Sequence, residues 1–327
     1  MAELADGIRR TAPRRISWRL VAIWSLAAIL TCAFLFTGLR GNISFVLNLR
    51  LTQLVGMVQV GVAVAVSTVV FQTITNNRIL SPSIMGLDAL YLFCQTALVF
   101  ALGGFGYAAL DPAWKFGGEA VLMMAASAAL FVPMLRRSSE MLMMILTGVV
   151  LGLLFRSLSS LLSRLIDPND FAVLQGASFA NFQPLDPALL AVGATVTVLG
   201  TLAAWRTRHT LDVVALGREA AVGLGLDWNR TVTAHLLLVA CLVASATALV
   251  GPLAFLGLLV VAVAERICGT RRHAVLFPAA CGVGVVMLVG AQLIGRAGFG
   301  GAVVISVIVE FVGGLVFLAL LFARRRQ

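Results

Sequence analysis

The sequence predicts an all-α polytopic membrane protein with about ten transmembrane helices. Of the 327 residues, 60% are hydrophobic and only 12% are charged, and the mean hydropathy is +1.01, well above the range of globular domains. The apolar residues fall into runs close to the ~20 residues that a helix needs to cross a bilayer. The polar segments between the runs are short, which favours one membrane bundle without a separate soluble domain.

Ten apolar runs give the predicted spans in chain order. They are 18–37, 53–72, 84–102, 116–135, 141–164, 187–205, 231–250, 252–268, 275–294 and 303–322. The chain is thereby divided into an N-terminal segment, 1–17, a transmembrane domain, 18–323, and a tail, 324–327. Gly148 and Gly152 in the fifth run have the spacing that lets two helices approach closely.

The distribution of arginine predicts that both termini are cytoplasmic, because short cytoplasmic loops collect positive charge. With this orientation the opposite side keeps few cations. These are Arg40, Arg50, Lys115, Arg296 and, at a margin, Arg164. Topology and anionic lipid headgroups then explain the net charge of +10, with no need for a nucleic acid partner. Since the N-terminal arginine cluster leads into a full-length span, we expect the first helix to be retained.

The reactive residue types argue against an enzyme. Lys115 is the only lysine, in "AWKFGG", so the chain lacks the Gly-rich loop and lysine that bind nucleotide phosphates. His209, His235 and His273 have no metal-ligand or nucleophile partner at a useful spacing, which predicts loop or packing roles. The five cysteines form no CxxC pair and are expected to be small packed residues.

Ionisable residues inside apolar runs are candidates for function because burying charge in a bilayer is costly. Arg156 lies in the middle of the fifth run and Glu310 in the last. Two interpretations stay open: these two residues face one another or a watery cavity, or each packs locally. Asp88 and the Glu265–Arg266 pair lie nearer the ends of their runs and are expected at the membrane interface.

The elbow "TITNNRILSPS", residues 73–83, is predicted to be the cytoplasmic turn between the second and third spans. Asn76, Asn77 and Ser81 can hydrogen-bond loop backbone that no helix satisfies. Pro82 suits the first position of the next helix, where no intrahelical N–H bond is lost.

A longer cytoplasmic segment, residues 206–230, is predicted to contain two short helices. Asp212 can cap the first helix, which runs to Leu216, Gly217 breaks it, and Arg218 to Leu224 form the second. Helices this short are not stable alone in water, so a cytoplasmic partner is expected to cover them. The alternative is a pair of interfacial helices resting on the bilayer.

Four stretches together resemble the FecCD-type permeases, the membrane subunits of ABC importers for iron–siderophore complexes, haem or cobalamin. They are "GVAVAVSTVVFQTITNNRILSPSIMG" (61–86), "LDVVALGREAAVGLGLDW" (211–228), "GPLAFLGLLVVAVAERICGTRRHAVLFPAACG" (251–282) and "FVGGLVFLALLFARR" (311–325). The resemblance covers nearly the whole chain in matching order. Within the family, the form "TNNRILSPSIMG" looks most like permeases for ferric catecholate siderophores.

The resemblance implies a type II ABC importer bundle in the bacterial cytoplasmic membrane that works by alternating access. The implied partners are a second permease subunit, identical or paralogous, a cytoplasmic ATPase dimer, an extracytoplasmic substrate-binding protein, a ferric siderophore and membrane lipid. It implies no cofactor on this chain, since ATP and Mg²⁺ bind to the ATPase.

The resemblance also assigns residues to roles. The segment 211–228 matches the coupling helices that contact the ATPase. The residues concerned are Leu211, Asp212, Leu216, Gly217, Glu219, Ala220 and Gly225. Arg50 and Arg296 match arginines that hold acidic groups of the binding protein, although Gln53 stands where the family has a further arginine. Without the resemblance, these two arginines are read as interfacial side chains that snorkel.

The translocation path has four candidate residues: Arg156, Gln175, Ser178 and Glu310. Gln175 and Ser178 belong to the longest outer loop, 166–186, which is expected either at the mouth of the path or as a plain connector. Two other classes of protein stay open. An ion-coupled secondary transporter would use intramembrane carboxylates such as Glu310, and an assembly protein would not need the coupling segment.

Overall fold

The structure, a computed structural model, describes residues 2–38, 41–137, 141–183, 185–299 and 305–324. Over these residues the chain forms α-helices, one 3-10 turn at Pro82–Met85 and no strand. The helices are α1 Ala2–Phe36, α2 Ile43–Ile74, α3 Leu87–Ala109, α4 Pro112–Arg137, α5 Met141–Ser163, α6 Pro168–Ala177, α7 Pro187–Arg206, α8 Arg208–Val214, α9 Arg218–Gly223, α10 Trp228–Val250, α11 Leu256–Cys268, α12 His273–Phe299 and α13 Ile305–Arg324. Arg40, residues 303–304 of the last predicted span and the predicted tail beyond residue 324 lie outside the described residues.

The described residues confirm the all-α, multi-span prediction. Seven helical segments are long and apolar enough to cross a membrane. They are Trp18–Phe36, Ile43–Ile74, Leu87–Ala109, Leu146–Ser163, Pro187–Arg206, Trp228–Val250 and His273–Gly298. The run predicted at 252–268 is shorter than expected, because α11 has 13 residues and starts only at Leu256. A helix of that length extends about 20 Å, less than the hydrocarbon core.

Helix α2 lies at the centre of the bundle. In the apolar stretch of α2, 78% of the residues are buried. In the apolar stretch of α5, the buried share is 11%. It packs against α10, α12, α7 and α11, and its buried residues lie on all sides of the helix. Val60, Val66 and Val70 are fully buried, as expected for a helix that is apolar all round. Helix α5 contacts chiefly α3 and the 3-10 turn, so most of its surface faces outward.

Glycines allow the closest contacts between helices. A Cβ on Gly61 of α2 would lie 3.1 Å from the backbone of Gly284 in α12, which explains how these two long helices cross in contact. On α5, Gly152 contacts Gly86, where an added Cβ would lie 2.8 Å from the Gly152 Cα. The close approach predicted at Gly152 is confirmed.

The elbow after α2 differs from the prediction at its far end. Asn77 Oδ1 accepts a hydrogen bond from the Ile79 N–H at 3.0 Å, and the Gln72 side chain donates to the Arg78 carbonyl at 2.9 Å. Pro82 begins a single 3-10 turn, with no side-chain cap from Ser81, and does not begin α3. The turn ends at Gly86 with φ +83°, and α3 starts at the next residue.

The outer loop 166–186 contains a helix that the sequence analysis did not predict. Helix α6 begins at Pro168 after Asp167, whose Oδ1 accepts a hydrogen bond from the Asn169 N–H at 2.9 Å. An Asp followed by Pro is a recognisable start signal. The helix packs against α3, which stabilises a segment of only ten residues.

Candidate functional site

The coupling segment forms two short helices, α8 and α9, as predicted. Gly217 between them has φ +94° and ψ 167°, a conformation that is essentially restricted to glycine. Helix α8 starts at Arg208, earlier than predicted, because α7 ends at Arg206 and only Thr207 separates the two. Thr207 ends α7, and its hydroxyl donates back to the Ala203 carbonyl at 3.0 Å.

This segment has one anchored face and one open face. Leu211 is fully buried, as is Ala221 of α9, whereas Leu216 and Leu224 are 62% and 66% exposed. The predicted coupling residues Glu219, Ala220 and Gly225 are all exposed. Exposed leucines beside an anchored face are typical of a surface that another protein covers.

Asp212 does not cap its own helix, which corrects the prediction. Its Oδ1 accepts hydrogen bonds from the His273 backbone N–H at 3.0 Å and from His273 Nδ1 at 2.6 Å. Burial tends to raise the pKa of this carboxyl, but the contacts with His273 outweigh burial and lower the pKa below its ordinary value. Asp212 therefore stays ionised and caps the start of α12.

The two arginines predicted to hold a binding protein both lie at the end of α1. Arg50 is 3% exposed, and its guanidinium donates to four carbonyls of the α1 terminus. The acceptors are Phe34 at 3.0 Å, Leu35 at 2.8 Å, Thr37 at 2.8 Å and Gly38 at 3.2 Å. Arg296 is partly exposed, with its guanidinium carbon 5.2 Å from the centre of the Phe34 ring. Of the two, Arg296 has the more accessible charge.

The two mid-membrane charges, Arg156 and Glu310, are exposed on α5 and α13. No ion pair joins them among the described residues. Both interact through charge with Asp88, the second residue of α3, which is buried within the protein. Residues of the 3-10 turn line the same cavity as Asp88, whereas its position at the membrane interface stays a prediction.

Asp88 lines a small polar cavity between α2, α3, α10 and α11. Its volume is about 20 Å³, enough for one water molecule. Ser67, Thr68 and Thr247 also line it, and the Asp88 Oδ2 and Thr68 Oγ1 atoms have no hydrogen-bond partner among the described residues. Of these residues, Asp88 interacts electrostatically with Arg156 of α5.

The other two path candidates lie at α6. Gln175 is exposed near its end. Ser178 follows the helix, is half-buried, and donates its hydroxyl to the Leu174 carbonyl at 2.8 Å. Gln175 is therefore open to a ligand, whereas the Ser178 hydroxyl proton is used within the helix end.

One buried polar network was missed by the sequence analysis. The Gln95 amide donates to Glu119 Oε1 at 2.9 Å, and the Tyr107 hydroxyl donates to Gln95 Oε1 at 2.7 Å. The Lys115 ammonium lies 3.7 Å from the centre of the Tyr107 ring. These contacts join α3 to α4. Across the part of the chain that the structure describes, no group of His, Cys, Asp or Glu residues could hold a metal ion.

The described residues form an all-helical bundle with several helices long and apolar enough to cross a membrane, which is typical of multi-pass membrane proteins. The chain belongs to the FecCD transport family, whose model matches residues 16–323. It is 38% identical over 314 residues to the petrobactin import system permease protein YclO of Bacillus subtilis (strain 168), covering 96% of this chain and 99% of that protein.

Two further comparisons agree with this membership. The petrobactin import system permease protein FatC of Bacillus anthracis is 31% identical over 281 residues, covering 86% of this chain and 79% of that protein. Among solved structures, a transporter described as of the metal-chelate ABC type, in an inward-facing conformation, has a TM-score of 0.81 at 22% identity. It covers 94% of this chain and 99% of that chain, which shows a common fold.

Proposed function

We propose that this chain is the membrane permease of an ABC importer that carries a ferric siderophore across the bacterial cytoplasmic membrane. The observation that carries the proposal is the family match over nearly the whole chain, together with a relative named for petrobactin import that is covered almost end to end. A siderophore of the catecholate type is the substrate class that the elbow sequence supports best. Haem and cobalamin are the alternative cargoes.

A separate ATPase dimer supplies the energy and holds ATP and Mg²⁺. Its docking surface on this chain is the open face of α8 and α9, with Leu216, Glu219 and Leu224 at the contact. The support for this assignment is the exposure of two large apolar side chains beside a carboxylate. The spans open alternately to the two sides because nucleotide-dependent closure of the ATPase favours one of the two states.

A second permease subunit, identical or paralogous, covers α5 and encloses the path. Arg156 is exposed on this helix among apolar neighbours such as Leu153 and Leu154. A guanidinium at that depth is costly against lipid but tolerable beside water, which supports a place for Arg156 on the path. Its positive charge suits an anionic chelate, and Glu310 contributes the opposite charge.

An extracytoplasmic binding protein delivers the chelate to the outer side. Arg296, which is partly exposed beside the end of α1, is the contact on this side, and Gln175 lies nearer the mouth. This orientation places both termini in the cytoplasm, as the arginine distribution indicates.

Uptake of radioactive iron tests the proposal. Iron-starved bacterial cells with and without this chain receive ferric petrobactin, ferric enterobactin, haem or labelled cobalamin, and the ATPase subunit is present or deleted. We expect chain-dependent uptake of a ferric siderophore that disappears without the ATPase. If uptake of haem or cobalamin alone depends on the chain, that compound is the cargo instead of a ferric siderophore. Uptake that persists without the ATPase and collapses with the ion gradient would identify a secondary transporter.

A further inference from the structure

His273 is the point at which three helices meet. It is the first residue of α12 and is 2% exposed. Its Nδ1 contacts Asp212 Oδ1 of α8 at 2.6 Å, and its Nε2 contacts Thr73 Oγ1 of α2 at 2.8 Å. One buried ring thus connects the coupling helix to two spans.

The hydrogen-bond network uses both nitrogens of this ring. A carboxylate can only accept, so Asp212 Oδ1 takes the Nδ1–H of His273. The other nitrogen, Nε2, is hydrogen-bonded to the Thr73 hydroxyl at 2.8 Å, and the same hydroxyl lies 2.8 Å from the Val69 carbonyl. His273 therefore forms side-chain hydrogen bonds to both α8 and α2.

Asp212 also joins the two helices through the backbone. The same Oδ1 accepts from the His273 N–H at 3.0 Å. A carboxylate at a helix N-terminus is stabilised by the helix dipole and by an otherwise unpaired N–H. Any displacement of α8 therefore disturbs a cap and a side-chain hydrogen bond on α12 at the same time.

A second histidine holds the other end of α8. His235 of α10 contacts the Thr207 hydroxyl through Nε2 at 2.9 Å and the Thr231 carbonyl through Nδ1 at 2.8 Å. Thr207 immediately precedes α8. Since Leu211 and Val214 are also buried, this seven-residue helix is fixed to three spans and cannot tilt independently.

We propose that Asp212 and His273 are positioning residues that tie the coupling helix α8 to the ends of α2 and α12, so that movement of α8 is passed to these spans. This inference rests on the proposed function, in which an ATPase moves the coupling segment. It assigns the tie to the buried His273 and the half-buried Asp212, which are separate from the exposed residues Leu216, Glu219 and Leu224 that contact the ATPase. Loss of the tie uncouples ATP hydrolysis from transport without weakening ATPase binding.

The test measures two quantities in proteoliposomes that contain the complete transporter: ferric petrobactin carried per ATP hydrolysed, and the affinity for the ATPase. In Asp212→Ala we expect the transport ratio to fall about fivefold or more, with ATPase affinity unchanged. Asp212→Asn keeps the acceptor oxygen but removes the charge, so it should recover part of the ratio. An unchanged ratio in Asp212→Ala overturns the proposal.

A milder pair of variants covers the case in which Asp212→Ala fails to assemble. Thr73→Val removes the contact with His273 and the bond to Val69. Thr233→Val removes only a comparable bond from a hydroxyl to the carbonyl four residues earlier, here Asn229 at 2.7 Å. We expect a lower transport ratio for Thr73→Val alone. Equal ratios in these two variants overturn the tie.

Hydrogen exchange on the full chain in detergent separates this inference from the proposed function. If the wild-type transporter moves none of the ferric siderophores, the proposed cargo fails, but the tie is still measurable. Asp212→Ala and Thr73→Val should then accelerate amide exchange in α8 and at the start of α12, and Thr233→Val should not. Unchanged exchange at both places would show that the tie does not exist.

Discussion

At the scale of single residues, Arg50 has the clearest physical role. The last carbonyls of a helix have no intrahelical donor, and at the end of α1 Phe34 is buried while Phe36, Thr37 and Gly38 are exposed. The guanidinium of Arg50 supplies donors in a fixed fork to four carbonyls in this region. This arrangement explains its burial and favours a structural role over contact with a binding protein.

The first prediction compares Arg50 with Arg296. Arg50→Ala should destabilise the permease by about 2–4 kcal/mol, because it leaves buried carbonyls unpaired, and should lower its melting temperature in detergent. Arg296→Ala should leave the melting temperature nearly unchanged and weaken binding of the extracytoplasmic protein, measured by surface plasmon resonance. If Arg50→Ala melts like the wild type and loses only that binding, the docking role predicted from the family is correct.

At the scale of elements, the coupling segment depends on the break between α8 and α9. Each helix is too short to persist alone, and their relative direction is set by the backbone of Gly217. Helix α8 is fixed from behind by histidines of α10 and α12, whereas α9 has only Ala221 buried. Gly217 therefore separates α8, which is fixed to the spans, from α9, which is more exposed.

The second prediction concerns that break. Gly217→Ala should strain the backbone by about 1–3 kcal/mol, redirect α9 and reduce affinity for the ATPase subunit, measured by co-purification and titration. Gly223→Ala is the matched control, because Gly223 is helical, exposed and has no atom within 4 Å of an added Cβ. Equal ATPase affinities in the two variants would mean that the direction of α9 does not matter for docking.

At the scale of the whole molecule, burial is uneven between helices. The centre is built around α2, while α5 presents large apolar side chains and one arginine outward. An arginine near the middle of a lipid-facing helix carries a large free-energy cost. The outward face of α5 therefore supports the proposed contact with a second permease subunit across water.

The third prediction concerns the charge on that face. Arg156→Gln should lower uptake of a ferric siderophore about tenfold, the effect of losing one interaction with a charged group, at equal permease levels in the membrane. Arg164→Gln removes an exposed arginine just beyond the end of the same helix and should have little effect. Similar uptake in the two variants would remove Arg156 from the path.

The fourth prediction tests the permease contact directly. A cysteine at Leu153 of α5, which is 59% exposed, should form a cross-link to a second permease subunit in native membranes. A cysteine at Val198 of α7, which is 56% exposed, should not, because that face is expected to contact lipid. Cross-linking at Val198 alone would place the subunit contact on α7.

The sequence predicted the long helices well, but it did not predict the short helix α6 or the 3-10 turn at Pro82. Each of the ten apolar runs contains a helix, because backbone groups in a bilayer have no alternative to helical hydrogen bonds. Among the described residues, seven helical segments are long and apolar enough to cross a membrane. Helix α6 was missed although Asp167 and Pro168 signal its start. The 3-10 turn at Pro82 was read as the beginning of α3, since proline marks the start of either kind of helix.

In the candidate site, too, some features could be predicted from the sequence and others could not. The break at Gly217 followed from a local pattern that needs no tertiary information, and Glu219 was assigned from the resemblance to the FecCD-type permeases. The partners of His273 did not, because Asp212 is 61 residues away in sequence and Thr73 is 200 residues away. Spacing along the chain carries no signal for such contacts. The burial of Asp88 beside the 3-10 turn likewise depends on contacts that spacing along the chain does not reveal.

The sequence by itself determined the class of protein, the helical spans and the two short helices within residues 206–230. These properties follow from composition, charge distribution and local hydrogen-bonding, which act over a few residues. Only the tertiary structure decided that Arg50 is a buried cap, that Asp88 lies in a cavity and that two histidines hold α8. Those outcomes depend on which helices pack together, because a polar side chain in an apolar bundle must find its partner in whichever helix lies beside it.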